Sequence, residues 1–203
     1  SIIALETGVV DSDSTLFRWD GEPRRLPIWE QDLVFRDAFH YSCVPCYQEV
    51  ARTIGSERMN PYLAYLDYGK MVVDSSSIDT FWLVGESKIT PAEQVDFLKR
   101  FYYSELPISA RPKTIMKRLM VIEDHPSYTL SGKTGWSIRN GNNNGWFVGY
   151  VEVPDNVFFF AINISPEAKF NMDMFSTIRK EIGYRGLNDL GVIPSLKTEA
   201  DKR

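Results

Sequence analysis

The stretch SYTLSGKTGWSIRNGNNNGWFVGYVEVPDNVFFFAINI, residues 127–164, decides the fold. Before Pro126 the apolar residues recur at helical spacing, and after it they follow the period of strands. Residues 127–133, 145–153 and 156–164 are predicted strands. Gly141-Asn142-Asn143-Asn144-Gly145 and Pro154-Asp155-Asn156 supply the turns, so the strands are expected to form antiparallel hairpins. Val157-Phe158-Phe159-Phe160-Ala161-Ile162 is apolar on both faces, the pattern of a strand covered on both sides inside a sheet. As the last strand of a three-stranded meander it would be an exposed edge. A further strand is therefore expected beside it, and nothing else in residues 1–203 reads as that partner.

Upstream of the meander the chain reads as helices. Residues 1–7 are helical and stop at Gly8, a good residue just past a helix C-terminus. Two turns cannot stand alone in water, so the chain opens on what reads as the middle of a helix. Residues 9–31 read as loop and turn, and Asp32 is placed to cap a helix over 33–41. Helices follow over 44–54, ending at Gly55, and over 56–66. Thr90-Pro91-Ala92-Glu93 is a capping box with proline at the first helical position, and Val95, Leu98, Tyr102 and Leu106 fall near one face behind it. Another helix is expected over 112–123. Beyond the meander, Asp173 can start a closing helix with Phe175, Ile178, Ile182 and Leu190 inward, and the charged tail over 194–203 is expected to fray. Helices, then an antiparallel meander, then a helix make an α+β fold, a helical part beside a sheet.

Composition sets the class. The chain has 203 residues, 43% hydrophobic and 25% charged, enough for one well-buried domain. The longest apolar run, residues 157–164, is too short to span a bilayer. A net charge of -4 argues against a nucleic-acid partner. No charged-then-apolar leader is present, so residue 1 reads as a mature or interior start.

Five features bear on chemistry. Lys133-Thr134-Gly135 follows a predicted strand; an ammonium, a hydroxyl and a flexible backbone at a cleft suit acyl transfer, although a bare triplet is more simply a strand ending in a glycine turn. Ser42 lies at a helix boundary, where serine commonly caps. Cys43-Val44-Pro45-Cys46 is a C-x-x-C without a thioredoxin-like βαβ pattern, and His40 and His125 stand outside metal-ligand spacing, so two half-buried structural thiols are expected. Arg179 is either a solvated helix arginine or a clamp for a carboxylate. Trp82 reads as a core aromatic whose indole N–H needs a partner if buried.

Taken in order, these pieces resemble class D serine β-lactamases, the oxacillinase family. The likeness runs through Trp19-Asp20-Gly21, Ser42-Cys43-Val44 with Tyr47-Gln48-Glu49, Tyr68-Gly69, Phe81-Trp82-Leu83-Val84-Gly85, Pro91-Ala92-Glu93-Gln94, Lys133-Thr134-Gly135-Trp136 and Gly145-Trp146-Phe147-Val148-Gly149. The resemblance implies the penicillin-recognising serine-enzyme fold, an antiparallel sheet flanked by helices plus a helical subdomain, as one domain over 1–203. It implies that Ser42 relays a proton near the catalytic base, that Val44 helps keep that base dry, and that Trp82 holds it through the indole N–H. Lys133 and Thr134 contact the substrate carboxylate, Gly135 completes that motif, the Trp136 N–H is one donor of the oxyanion hole, and Arg179 binds the β-lactam carboxylate.

Two departures stand out. The family's Y-G-N reads Tyr68-Gly69-Lys70, and Lys70 is given no role. The family's S-x-x-K, which carries the nucleophilic serine and the carbamylated lysine base, occurs nowhere in residues 1–203. In the family the stretch Ile2–Gly8 follows closely after that lysine, so both groups are expected upstream of Ser1, with the N-terminal strands, on a segment that is missing here or separate. The resemblance further implies a periplasmic or secreted bacterial hydrolase of β-lactam antibiotics, with CO2 on the upstream lysine as the only added group and no metal. Two alternatives share the motifs: a β-lactam sensor domain that stays acylated, and a non-catalytic truncated homologue.

Overall fold

The computed structural model describes residues 1–167 and 169–194, so the expected fraying of the tail lies outside the described residues beyond Pro194. The chain divides into two compact units, Ser1–Thr90 with Arg100–Met120, and Pro91–Lys99 with the residues from Val121 onward.

The first unit is mostly helical. Helix α1, Ile2–Glu6, buries Ile3, Ala4 and Leu5 and ends at Gly8, whose φ of +71° only glycine adopts readily. Five residues are too few for an autonomous helix. Side chains from distant sequence hold it instead: the Ser1 hydroxyl pairs with Tyr47 Oη at 2.8 Å, the Glu6 carboxylate accepts from Ser109 N and Oγ, and Arg111 donates to the Leu5 and Asp11 carbonyls.

Residues 9–31 are not all loop. Strand β1, Leu16–Phe17, pairs antiparallel with β2, Leu33–Val34. That pairing keeps residues 33–34 extended, so α2 starts later than expected, spanning Phe35–His40, with Val34 at its N-cap. Asp32 does not cap it; its carboxylate accepts from Trp19 N at 2.8 Å. Helices α3, Val44–Ile54, and α4, Ser56–Leu66, stand at their expected bounds, joined through Gly55 with φ +76°. Helix α5, Pro91–Tyr103, divides between the units. Helix α6, Ala110–Met120, buries Ile115, Met116, Leu119 and Met120 and stops three residues earlier than expected.

The second unit holds a four-stranded antiparallel sheet in the order β3-β4-β5-β6: Val121–His125, Tyr128–Arg139, Asn142–Val153 and Asn156–Ile164. The meander thus has one strand more than expected, taken from the predicted end of the preceding helix. Strand β4 also runs on to Arg139 rather than ending at 133, so Lys133-Thr134-Gly135 lies inside a strand and not at a turn. The hairpin closes on Asn140 and Gly141, both at positive φ (50° and 77°), the pattern of a two-residue type I′ turn. Strand β6 pairs only with β5 among the described residues, and Phe158 stands exposed on it.

Helix α7, Phe175–Asp189, lies on this sheet through Phe175, Arg179, Gly183 and Leu187. Of the expected inward set, Phe175 is buried and Ile178 half-buried, while Ile182 and Leu190 point outward, so the inward face drifts from the expected one along the helix. Gly183 explains the phase. A Cβ there would stand 2.6 Å from Phe147, so the helix comes down on the sheet at its smallest residue. Leu130, Phe147, Val151 and Leu187 form the centre of the core.

Candidate active site

In the sheet unit, β4 carries four of the expected residues, Lys133, Thr134, Gly135 and Trp136, and α7 brings a fifth, Arg179, to them. Lys133 lies opposite Val148 and Thr134 opposite Phe147 on β5. Strand β3 pairs with β4 only over residues 128–131. From Gly132 onward, β4 therefore has no strand neighbour on its far side among the described residues, and its backbone can face a ligand there.

Arg179 is not a solvated helix residue. It is 7% exposed, and its three nitrogens donate to carbonyls: Nε to Phe175 O at 3.1 Å, Nη1 to Gly135 O at 2.5 Å and Nη2 to Ser176 O at 3.2 Å. Its guanidinium carbon sits 5.6 Å from the Trp136 ring centre and 5.8 Å from that of Phe175. No carboxylate among the described residues pairs with it. A guanidinium has five N–H donors; three are used, which leaves two for a ligand. Gly145 makes room for this arrangement, since a Cβ there would meet Arg179 Cδ and Phe175 Cζ at 2.7 Å. A glycine inside a strand can mark such a close approach, and that signal was available in Gly145-Trp146-Phe147.

Lys133 donates from Nζ to Thr134 O at 3.0 Å. Its pKa is lowered to about 8, first by burial and then by repulsion from Arg179 and Lys180. Burial also lowers the pKa of Arg179. The site is thus a desolvated pair of cations with no acid bound to the arginine, which favours an anionic partner. Trp136 is held from two sides: its Nε1 donates to Asn143 Oδ1 at 2.8 Å and its ring meets Phe175 edge-on at 5.1 Å. The sequence marks Phe175 only as an inward helix residue and Asn143 only as part of a turn, and it gives Lys180 no role, because none of the three belongs to a recognisable site motif.

The helical unit carries the other expected residues. Ser42 does not cap α3; it is exposed, with φ +51°, between α2 and α3. The N-cap is Cys43, whose sulfur accepts from Cys46 N at 3.3 Å. Cys43 and Cys46 are joined as a disulfide, not a pair of structural thiols. Spacing alone does not distinguish these states; the first turn of α3 permits the link by holding the two Cα atoms 5.4 Å apart. Val44 opens α3 and is half-buried.

Trp82 is half-buried rather than a core residue. It meets Phe81 edge-on at 4.9 Å, and its indole N–H donates to no described residue. The turns that carry it are tied to α3, where Gln48 Nε2 donates to Asp79 O at 3.2 Å and Arg52 pairs with the Asp79 carboxylate at 2.9 Å. Gln48 and Arg52 are one helical turn apart, a spacing legible in the sequence without its target. Lys70 is exposed and exchanges backbone hydrogen bonds with Lys88.

A family model described as penicillin binding protein transpeptidase domain matches residues 1–185. Beta-lactamase OXA-48 of Klebsiella pneumoniae is 40% identical over 182 residues, 90% of this chain and 68% of that protein. Beta-lactamase OXA-10 of Pseudomonas aeruginosa is 38% identical over 196 residues, 95% of this chain and 72% of its own. Regulatory protein BlaR1 of Bacillus licheniformis is 34% identical over 97% of this chain but 32% of its own length. Among solved structures, the class D β-lactamase YbXI from Nostoc superposes with a TM-score of 0.88 at 43% identity, covering 94% of this chain and 78% of that one.

Proposed function

The chain belongs to the class D serine β-lactamase family, and from that premise we infer how its residues serve the opening of a β-lactam. The enzyme acts by serine acyl transfer: a serine attacks the lactam carbonyl, and water releases the acyl-enzyme. One observation carries the assignment of the binding residues. Arg179 is buried, has donors to spare, lacks a carboxylate partner and lies beside Lys133. A β-lactam carboxylate answers that charge. In this reading Arg179 and Lys133 hold the carboxylate, the Thr134 hydroxyl donates to it, and Gly135 keeps the strand open to it. The Trp136 N–H holds the oxyanion of the tetrahedral intermediate.

Ser42, Val44 and Trp82 serve the base. A lysine carbamate supplies an anionic oxygen that accepts a proton. The residues present fit it: a hydroxyl, an aliphatic side chain, and an indole N–H with no other described partner. Ser42 then relays the proton, and Trp82 and Val44 hold and shield the anion.

We place the serine and lysine of S-x-x-K in polypeptide preceding Ser1, in one domain with residues 1–203. One feature supports this: among the described residues the apolar strand β6 has one strand partner where its pattern suits two. We also assign the enzyme to the bacterial periplasm or exterior, where a Cys43–Cys46 disulfide persists. No helix of the described residues is long and apolar enough to cross a membrane.

The test is hydrolysis of a chromogenic cephalosporin by the full chain, with and without bicarbonate after mild acid treatment. Turnover restored by bicarbonate is expected; recovery indifferent to bicarbonate would falsify the carbamate. The 34% identity to BlaR1 favours one second reading, a sensor domain that stays acylated. Release of a labelled penicillin adduct separates them: minutes or less for the hydrolase, hours for the sensor.

A further inference from the structure

Cys43 and Cys46 have no place in the chemistry above, yet Cys43 follows Ser42 directly. The backbone at this point is unusually constrained. Ser42 N donates to Phe39 O at 3.2 Å and Cys43 N to Ala38 O at 2.9 Å. These two bonds, with Ser42 at φ +51°, make a Schellman cap at the end of α2. Glycine or asparagine is the usual residue at this left-handed position, and a serine there costs about 1 kcal/mol. The next residue, Cys43, is already the N-cap of α3. The two helices therefore share a joint with no spare residue, and Cys43 decides where Ser42 points.

An N-cap is ordinarily fixed by a side-chain oxygen accepting from the first turn. Sulfur is a weak acceptor, and the Cys43 Sγ contact with Cys46 N is 3.3 Å long. The bond to Cys46 adds a covalent link to that weak hydrogen bond across the first turn of α3. Both cysteines are buried, at 1% and 9% exposure. The pair is therefore not presented for exchange with a protein partner, as a redox enzyme would require.

We propose that the Cys43–Cys46 disulfide is a positioning element for the reaction, holding Ser42 in its left-handed conformation so that its hydroxyl is aimed. The proposal rests on Ser42 as the proton relay. Opening the link leaves the helix joint anchored by hydrogen bonds alone and lets Ser42 relax. A phosphine reductant opens it by taking two electrons' worth of oxidation: the sulfur–sulfur bond breaks, phosphorus takes an oxygen from water, and each sulfur keeps one of that water's protons.

The experiment is a double-mutant cycle in the full chain, read as kcat and KM with a chromogenic cephalosporin. Cys43→Ala/Cys46→Ala is expected to lower kcat roughly tenfold, the scale of a small misplacement of a reacting group, with KM within about twofold. Cys43→Ser/Cys46→Ala restores a good cap without the link and is expected to stay equally slow. With Ser42→Ala already in place, removing the disulfide is expected to cost nothing more, because its effect runs through that hydroxyl. Full recovery by the serine cap, or additive losses in the cycle, overturns the proposal. Should the variants fail to fold on thermal melting, wild type treated with a phosphine, its thiols counted by alkylation and mass, gives the same reading. A fully reduced wild type with unchanged kcat overturns the proposal. Wild type that turns over no β-lactam overturns instead the functional reading beneath it.

Discussion

Lys133 and Arg179 set the pH behaviour expected of the site. The Lys133 pKa is lowered to about 8, so below that pH the ammonium is present and attracts a carboxylate. Above it the free amine no longer does. The profile of kcat/KM, which reports the free enzyme, is therefore expected to fall on an alkaline limb near pH 8, and Lys133→Ala is expected to lack that limb. For stability the sign is reversed: the unfolded chain binds the proton up to the ordinary lysine range, so the Lys133 contribution improves as pH rises above about 8. Arg179→Ala is expected to lower kcat/KM for an anionic β-lactam about 30- to 150-fold, mostly through KM, the size of a lost charge-assisted hydrogen-bonded pair of about 2–3 kcal/mol. These residues were legible in the sequence as motif members. Their state was not: Arg179 lies on the polar side of the expected helix face and is buried against Gly145, where a Cβ would meet its Cδ at 2.7 Å.

At the scale of elements, α7 offers a clean contrast. Gly183 and Gly186 are one turn apart on the same helix. A Cβ at 183 would meet Phe147 at 2.6 Å, while one at 186 meets nothing within 4 Å. Gly183→Ala is expected to destabilise by about 1–3 kcal/mol through overpacking. Gly186→Ala is expected to stabilise by about 0.5–1 kcal/mol through helix propensity alone. Urea unfolding of the two variants checks both signs. The same contrast explains the misread phase of α7: a reading by hydrophobicity skips glycine, although here glycine marks the contact. Helices α3 and α4 are legible in the sequence because Gly55 and the apolar periodicity agree there, even though the cap of α3 is Cys43 and not Ser42. Strand β3 was missed because Val121 and Ile122 also extend a helical pattern; only pairing with β4 decides them as strand.

At the scale of the whole molecule, the proposal that S-x-x-K precedes Ser1 predicts a simple difference. The full chain is expected to form a covalent adduct with a fluorescent penicillin, and residues 1–203 alone are expected to form none; labelling of 1–203 would place the nucleophile within it. Local sequence determined most helices, the meander with its turns, and a family signature spread over nearly the whole chain. Each of these rests on neighbours a few residues apart, whose propensities and spacings are written in order along the chain. Tertiary structure alone decided three things: that Arg179 is buried with carbonyls and no carboxylate, that Lys133 is desolvated beside it, and that Cys43 and Cys46 are joined at a helix start. Burial and the field of nearby charges are sums over atoms that the fold, not the sequence order, brings within a few ångströms.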